Sequence, residues 1–224
     1  IRILVVDSCR SGAVTRVKGG RPAPALRTGS GDELPGEGLI VLTASTAGED
    51  AQESEALAGS FFTHYLLSAL RGAADEDGDR RVTVAEAFSY TRAQTILASS
   101  RTLSGTQHPT FHYDLRGRAD VIVADLGGRG RGTLTLPADA TWLVIGDGAS
   151  VVGEIVAGAE QRRLSLRPGR YRLRGRTRDA LLEGEVTVRA LAASGVGMDA
   201  LVRRLCRRPA GAGAGGGRAA RAGA

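Results

Sequence analysis

Two stretches of this 224-residue chain are apolar without alternation: IRILVV at residues 1–6 and GLIVLTAS at 38–45. A strand with one wet face alternates apolar and polar residues, whereas a strand covered on both faces does not. The two runs therefore predict buried strands of a mostly parallel sheet flanked by helices, and this limits the fold more than any other feature. Between them lies AVTRVKGGRPAPALRTGSGDELPGEG, 26 residues without a period. That is too long for an ordinary connector and is expected to be a mobile functional loop.

The helices that such a sheet needs are legible further on. In FFTHYLLSALRG, Phe62, Leu66, Leu67 and Leu70 recur at helical spacing, with Ser60 as a cap and Gly72 as a stop. TVAEAFSYTRAQTILASS gives a second helix, with Thr83 and Glu86 in capping-box positions. DVIVADL, residues 120–126, is a third apolar run, and the alternation of strand and helix predicts an α/β class. Past Gly128 the pattern changes to short alternating segments such as GTLTL, TWLVIG, RYRLRG and EGEVTVRA, punctuated by Gly, Pro and Asp. These predict a small all-β, sandwich-like domain. The expected organisation is an α/β domain over 1–126, a β-sandwich over 127–197 and a basic, low-complexity, disordered tail over 198–224.

The formal net charge of +6 suggests nucleic acid until it is located. Six arginines and one aspartate after residue 197 supply +5 of it, leaving +1 for the rest, so no specific nucleic-acid fold is indicated. The tail could instead tether the protein to an anionic surface. Cys9 and Cys206 are too few and too far apart for a disulfide framework, which favours reduced thiols and a cytoplasmic setting. No stretch reaches the roughly 20 apolar residues of a membrane span.

The first strand runs into DSCRSG, residues 7–12. A thiol at the carboxyl end of a parallel strand sits where open α/β sheets bind ligands, and the N–H groups of the following turn can hold an oxyanion. The alternative is an inert buried cysteine. DSCRSG resembles the nucleophile block of caspase-like cysteine peptidases, most closely the metacaspase branch and its bacterial relatives. The likeness continues through LTASTAGEDAQES, GSFFTHYLLSALRGAADEDGDRRVTVAEAFSYT and GTQHPTFHYDLRGRADVIVADL, in that order. The resemblance implies a Cys/His dyad with Cys9 as nucleophile. It also implies a primary pocket in which Asp7, aided by Ser45, selects Arg or Lys through a charge-assisted pair. A strand-end acid capping a turn is the other reading of Asp7.

One departure matters. Caspase-type enzymes carry the dyad His about 50 residues before the Cys, and here His64, His108 and His112 all follow Cys9. The expectation is a chain truncated within its peptidase domain and inactive alone.

DEDGDRRVTVAE, residues 75–86, places Asp75, Asp77, Asp79, Thr83 and Glu86 at positions 1, 3, 5, 9 and 12 of a calcium loop of the EF-hand type. Position 6, usually Gly for its positive φ, is Arg80. The alternative is a solvated acidic turn in which Thr83 and Glu86 only cap the helix. Two functions follow as expectations. One is a cysteine endopeptidase acting on peptide or protein substrates after Arg or Lys. The other is a non-catalytic calcium-binding or interaction module on a degraded caspase-like fold.

Overall fold

The computed structural model describes residues 1–12, 37–55, 57, 59–116, 120–128, 130–158, 161–196 and 201–205. The expected loop over 13–38 lies almost wholly outside them, as do Cys206 and the rest of the tail from residue 206.

The described chain is mixed α/β, mostly strands, with two helices. It opens with β1 (Arg2–Val6) and β2 (Glu37–Thr43). A two-residue ribbon, β3 (Glu53–Ser54) with β4 (Gly59–Ser60), leads into α1 (Phe61–Ser68). A wide helical turn over Ala69–Ala73 follows, then β5 (Arg81–Thr83), α2 (Val84–Ser99), β6 (Thr110–Arg116) and β7 (Ile122–Asp125). β1 and β2 pair in parallel with Ile3 opposite Ile40, and β6 closes the sheet antiparallel to β2. The expected parallel arrangement therefore holds for one pair of strands. DVIVADL does not join this sheet: β7 pairs with β5 in a separate ribbon, and TFHYDLR takes the third place. That segment alternates, with Phe111 and Tyr113 stepping past His112 and Asp114, as suits a strand with one apolar face. Phe111 stacks on Phe88 of α2, ring centres 5.0 Å apart.

Local chemistry sets the helix ends. Ser60 Oγ accepts from the Thr63 N–H at 3.0 Å. Gly72 takes φ +115°, and a β-carbon there would strike the Arg163 carbonyl, so no larger residue fits. Thr83 and Glu86 form the reciprocal capping box, each side chain bonding the other's N–H. Phe62, Leu66, Val84 and Ala87 from the helices bury Ile40 and Leu42 of β2.

β1 departs from the expectation of a buried strand. Ile3, Leu4 and Val5 are 43%, 43% and 44% exposed, because β1 is the edge strand of its sheet with no other element over it among the described residues. An exposed apolar edge is a template for pairing with another chain. Residues 1–224 should self-associate at micromolar concentration in light scattering, and Ile3→Lys should lower the associated fraction severalfold.

The second half is a sandwich. β8 (Gly132–Leu136), β9 (Thr141–Ile145), β10 (Val151–Ile155), β11 (Arg162–Leu166), β12 (Gly169–Arg176), β13 (Ala180–Val188), β14 (Ala193–Gly195) and β15 (Val202–Leu205) build two sheets. Their orders are β10-β9-β12-β13-β15 and β11-β8-β14. Leu134, Leu136, Trp142, Val144, Leu164, Leu173 and Leu182 fill the space between them. β15 pairs with β13, so ordered sheet continues past the expected boundary at 197 into the stretch assigned to the tail. The sandwich seats on the helices. Ala73 enters its core, the Arg71 guanidinium donates to the Val152 carbonyl, and the Ser68 hydroxyl accepts from the Glu154 N–H.

Candidate functional site

Cys9 stands in the turn that follows β1, at the end of the sheet where β2 also finishes, and its side chain is exposed. The inert buried cysteine is thus not what the fold provides. The turn is held from three sides. Arg10, at φ +56°, donates its N–H to the Glu49 carbonyl at 2.9 Å. Ser11 is buried and accepts from the Ser45 N–H at 3.1 Å, and its hydroxyl lies 3.4 Å from the Ser45 hydroxyl. Gly12 presses against the next loop, where a β-carbon would come within 2.8 Å of the Thr46 backbone. The thiol donates weakly to the Ala51 carbonyl, with Sγ at 3.9 Å.

Asp7 is exposed beside this turn. Its Oδ2 accepts from the hydroxyl of Ser60 and from that of Thr63 at 2.6 Å. The carboxylate therefore lies at the N-terminus of α1, where the helix dipole favours negative charge. Ser45 is wholly buried beneath the turn, its hydroxyl 3.5 Å from the Ser8 carbonyl. The structure brings Asp7, Cys9 and Ser45 together, with Ser45 as a support under the cysteine.

None of the three histidines bonds the thiol among the described residues. His64 Nε2 meets Glu154 at 3.2 Å in the contact between α1 and the sandwich. His108 is closer to the turn: Nδ1 lies 2.7 Å from one Glu49 oxygen, and its N–H donates to the other at 2.8 Å. Burial opposes the Glu49 charge, but these bonds and the His108 charge outweigh it and hold the carboxyl below its ordinary value. The sequence gives no sign of the roles of Glu49, Ser11 and Thr63, or of the pairing of His108 with Glu49. Their partners lie 34 to 59 residues away in sequence, and no local pattern marks them.

The acidic loop forms a second cluster. One carboxylate oxygen from each of Asp75, Asp77 and Asp79 lies within 4.8 Å of the others, an arrangement that could hold a metal ion. Asp75 is 7% exposed, and its Oδ1 has no hydrogen-bond partner. Burial pushes the Asp75 carboxyl above its ordinary value, the Asp79 and Asp77 charges add to this, and the N–H groups of Gly78 and Arg80 oppose it. Arg80 adopts φ +69°, the left-handed turn that the sixth loop position requires, although it is not glycine. The strain of a β-carbon there is on the order of 1–2 kcal/mol. Thr83 and Glu86 are not gathered into the cluster. Glu86 Oε2 accepts from both the N–H and the hydroxyl of Thr83, each at 2.8 Å, so in this structure the two serve the helix cap.

No helix among the described residues is long and apolar enough to cross a membrane. Comparison with protein-family models, with curated proteins and with solved structures finds no match to this chain.

Proposed function

We propose that the chain carries the nucleophile of a caspase-like cysteine endopeptidase that cleaves after Arg or Lys. The observation that supports this most is the exposed Cys9 on a braced turn at the carboxyl end of β1, next to an exposed carboxylate. In the reaction the Cys9 thiolate attacks the scissile carbonyl, and the N–H of Cys9 itself helps to stabilise the oxyanion, since the Arg10 and Ser11 N–H groups are held by the Glu49 and Ser8 carbonyls. The amine leaves with a proton, and water then hydrolyses the thioester to free the acid and the thiol. Asp7 Oδ2 is held by two hydroxyls, while Oδ1 has no hydrogen-bond partner among the described residues and is available to a substrate guanidinium or ammonium. Ser45 positions the turn from below. The general base would be a histidine upstream of Ile1, as the resemblance implies. Residues 1–224 alone should therefore show no measurable hydrolysis of an arginyl peptide, and robust turnover would assign the base to one of the three histidines present.

A second reading, favoured by the unpartnered buried Asp75 oxygen, is that the acidic loop binds calcium through Asp75, Asp77 and Asp79. Hard oxygen ligands suit that ion. Calcium should raise the thermal midpoint by mass action, and Asp75→Asn should remove most of the rise. Arg80→Gly should increase it, by removing both a positive charge and the strain at φ +69°. Asp75 holds its proton more tightly than an ordinary carboxyl, so the metal-free fold is favoured by its protonation and loses that contribution as pH rises. Calcium and the proton compete for one carboxylate, so the calcium-induced rise should shrink as pH falls through the acid range. Absence of any thermal shift at about 10 mM calcium, above the weakest range of such loops, would leave the stretch a solvated turn.

A further inference from the structure

We propose that the cleft between the end of α2 and the outer face of the five-stranded sheet binds a small ligand with an oxyanion head and an apolar body. The strand β12, GRYRLRGR, turns Leu173 and Gly175 into the core and leaves Arg170, Arg172, Arg174 and Arg176 exposed on the other face. At the far end of this row, Arg174 and Arg176 meet Arg101, which follows α2, across a cavity of about 690 Å³. That volume falls within the roughly 300–1,000 Å³ typical of small-molecule sites.

The three guanidiniums are not equivalent. Arg174 is held by Glu183, with Nε and Nη2 each at 3.1 Å from Oε1. Arg101 and Arg176 have no ion-pair partner among the described residues. Leu143 and Leu181, opposite Arg174 and Arg176 on the neighbouring strands, give the cleft an apolar floor. Glu154 also lines it, with one carboxylate oxygen 3.2 Å from His64 Nε2. With Arg174 offset by Glu183, the Arg101 and Arg176 guanidiniums outnumber the Glu154 carboxylate, so the cleft keeps a net positive charge, and their planar forks match a carboxylate or a phosphate. The cleft is distinct from the Cys9 turn, and the proposal does not rest on the peptidase reading.

The test is calorimetric titration of the 224-residue protein at low salt with phenyl phosphate, benzoate and inorganic phosphate. At least one of the two aromatic anions should bind at one site per chain, and whichever binds tighter assigns the head as phosphate or carboxylate. Inorganic phosphate, lacking the apolar body, should bind at least tenfold more weakly. Arg101→Gln and Arg176→Gln should each weaken the preferred anion tenfold or more, with Arg176→Lys falling between wild type and Arg176→Gln. Arg170→Gln, at the other end of the same strand, should leave affinity unchanged, and circular dichroism should show all variants folded. No binding of either aromatic anion at 10 mM overturns the proposal. So does equal weakening by Arg170→Gln, which would mean only a diffuse attraction of charge.

Discussion

Trp142→Ala should lower the stability of the sandwich by roughly 3–5 kcal/mol, the usual cost of truncating a buried tryptophan. Trp142 on β9 is fully buried among Leu134, Leu136, Leu164 and Leu173, and its indole N–H donates to the Pro137 carbonyl at 2.9 Å. Removing the ring leaves a cavity and an unpaired carbonyl together. Gly175, opposite Trp142 on β12, explains why the ring fits: a β-carbon at 175 would lie 2.5 Å from the indole. Gly175→Ala should thus cost about 1–3 kcal/mol by overpacking. Urea denaturation followed by tryptophan fluorescence measures this second effect directly, since Trp142 is the only tryptophan in the chain. Far-UV circular dichroism serves for Trp142→Ala itself. A loss under 1 kcal/mol for Trp142→Ala would mean that the two sheets do not share this core.

On the proposed function, Cys9→Ala in a longer form of the protein that includes a histidine upstream of Ile1 should abolish peptide hydrolysis, a loss of several orders of magnitude. Cys206→Ala should leave turnover unchanged. The asymmetry follows from placement: Cys9 is exposed at a strand end beside Asp7, and Cys206 belongs to the basic tail. Asp7→Ala should separate specificity from folding, because Asp7 is exposed and its two hydroxyl partners can turn to water. Cleavage after Arg should fall far more than the thermal midpoint moves. A native preference for cleavage after Asp would contradict the assignment of Asp7.

The sequence made local structure legible wherever a local rule governs it. Ser60 and Thr83 mark the helix starts because a side-chain oxygen three residues from a free N–H is a property of the chain itself. The segments past Gly128 read as strands because alternation survives in a sandwich with one wet face, as in the burial of β8 and β9. What failed was pairing. DVIVADL and TFHYDLR are both good strands, and only tertiary packing chose the second for the sheet, through Phe111 on Phe88. β1 reads as buried from its apolar residues, but burial needs a neighbour, and among the described residues it has one only on the β2 side. At the candidate site the motif residues Asp7, Cys9 and Ser45 were readable together, whereas the Glu49–His108 brace joins two loops with no shared pattern. The acidic loop shows the same limit. Spacing placed five ligands in register, but Thr83 and Glu86 are claimed by the helix cap and three aspartates remain.

The proposed function makes Cys9 a nucleophile whose substrate is selected by the exposed carboxylate of Asp7. Its most direct test is mass spectrometry of the histidine-containing longer protein after incubation with a peptidyl-arginine acyloxymethyl ketone, with the matching aspartyl compound as control. One adduct is expected, on Cys9, formed at least tenfold faster with the arginyl compound and slowed by Asp7→Ala. An unmodified Cys9, or equal labelling by the two compounds, would contradict the proposed function.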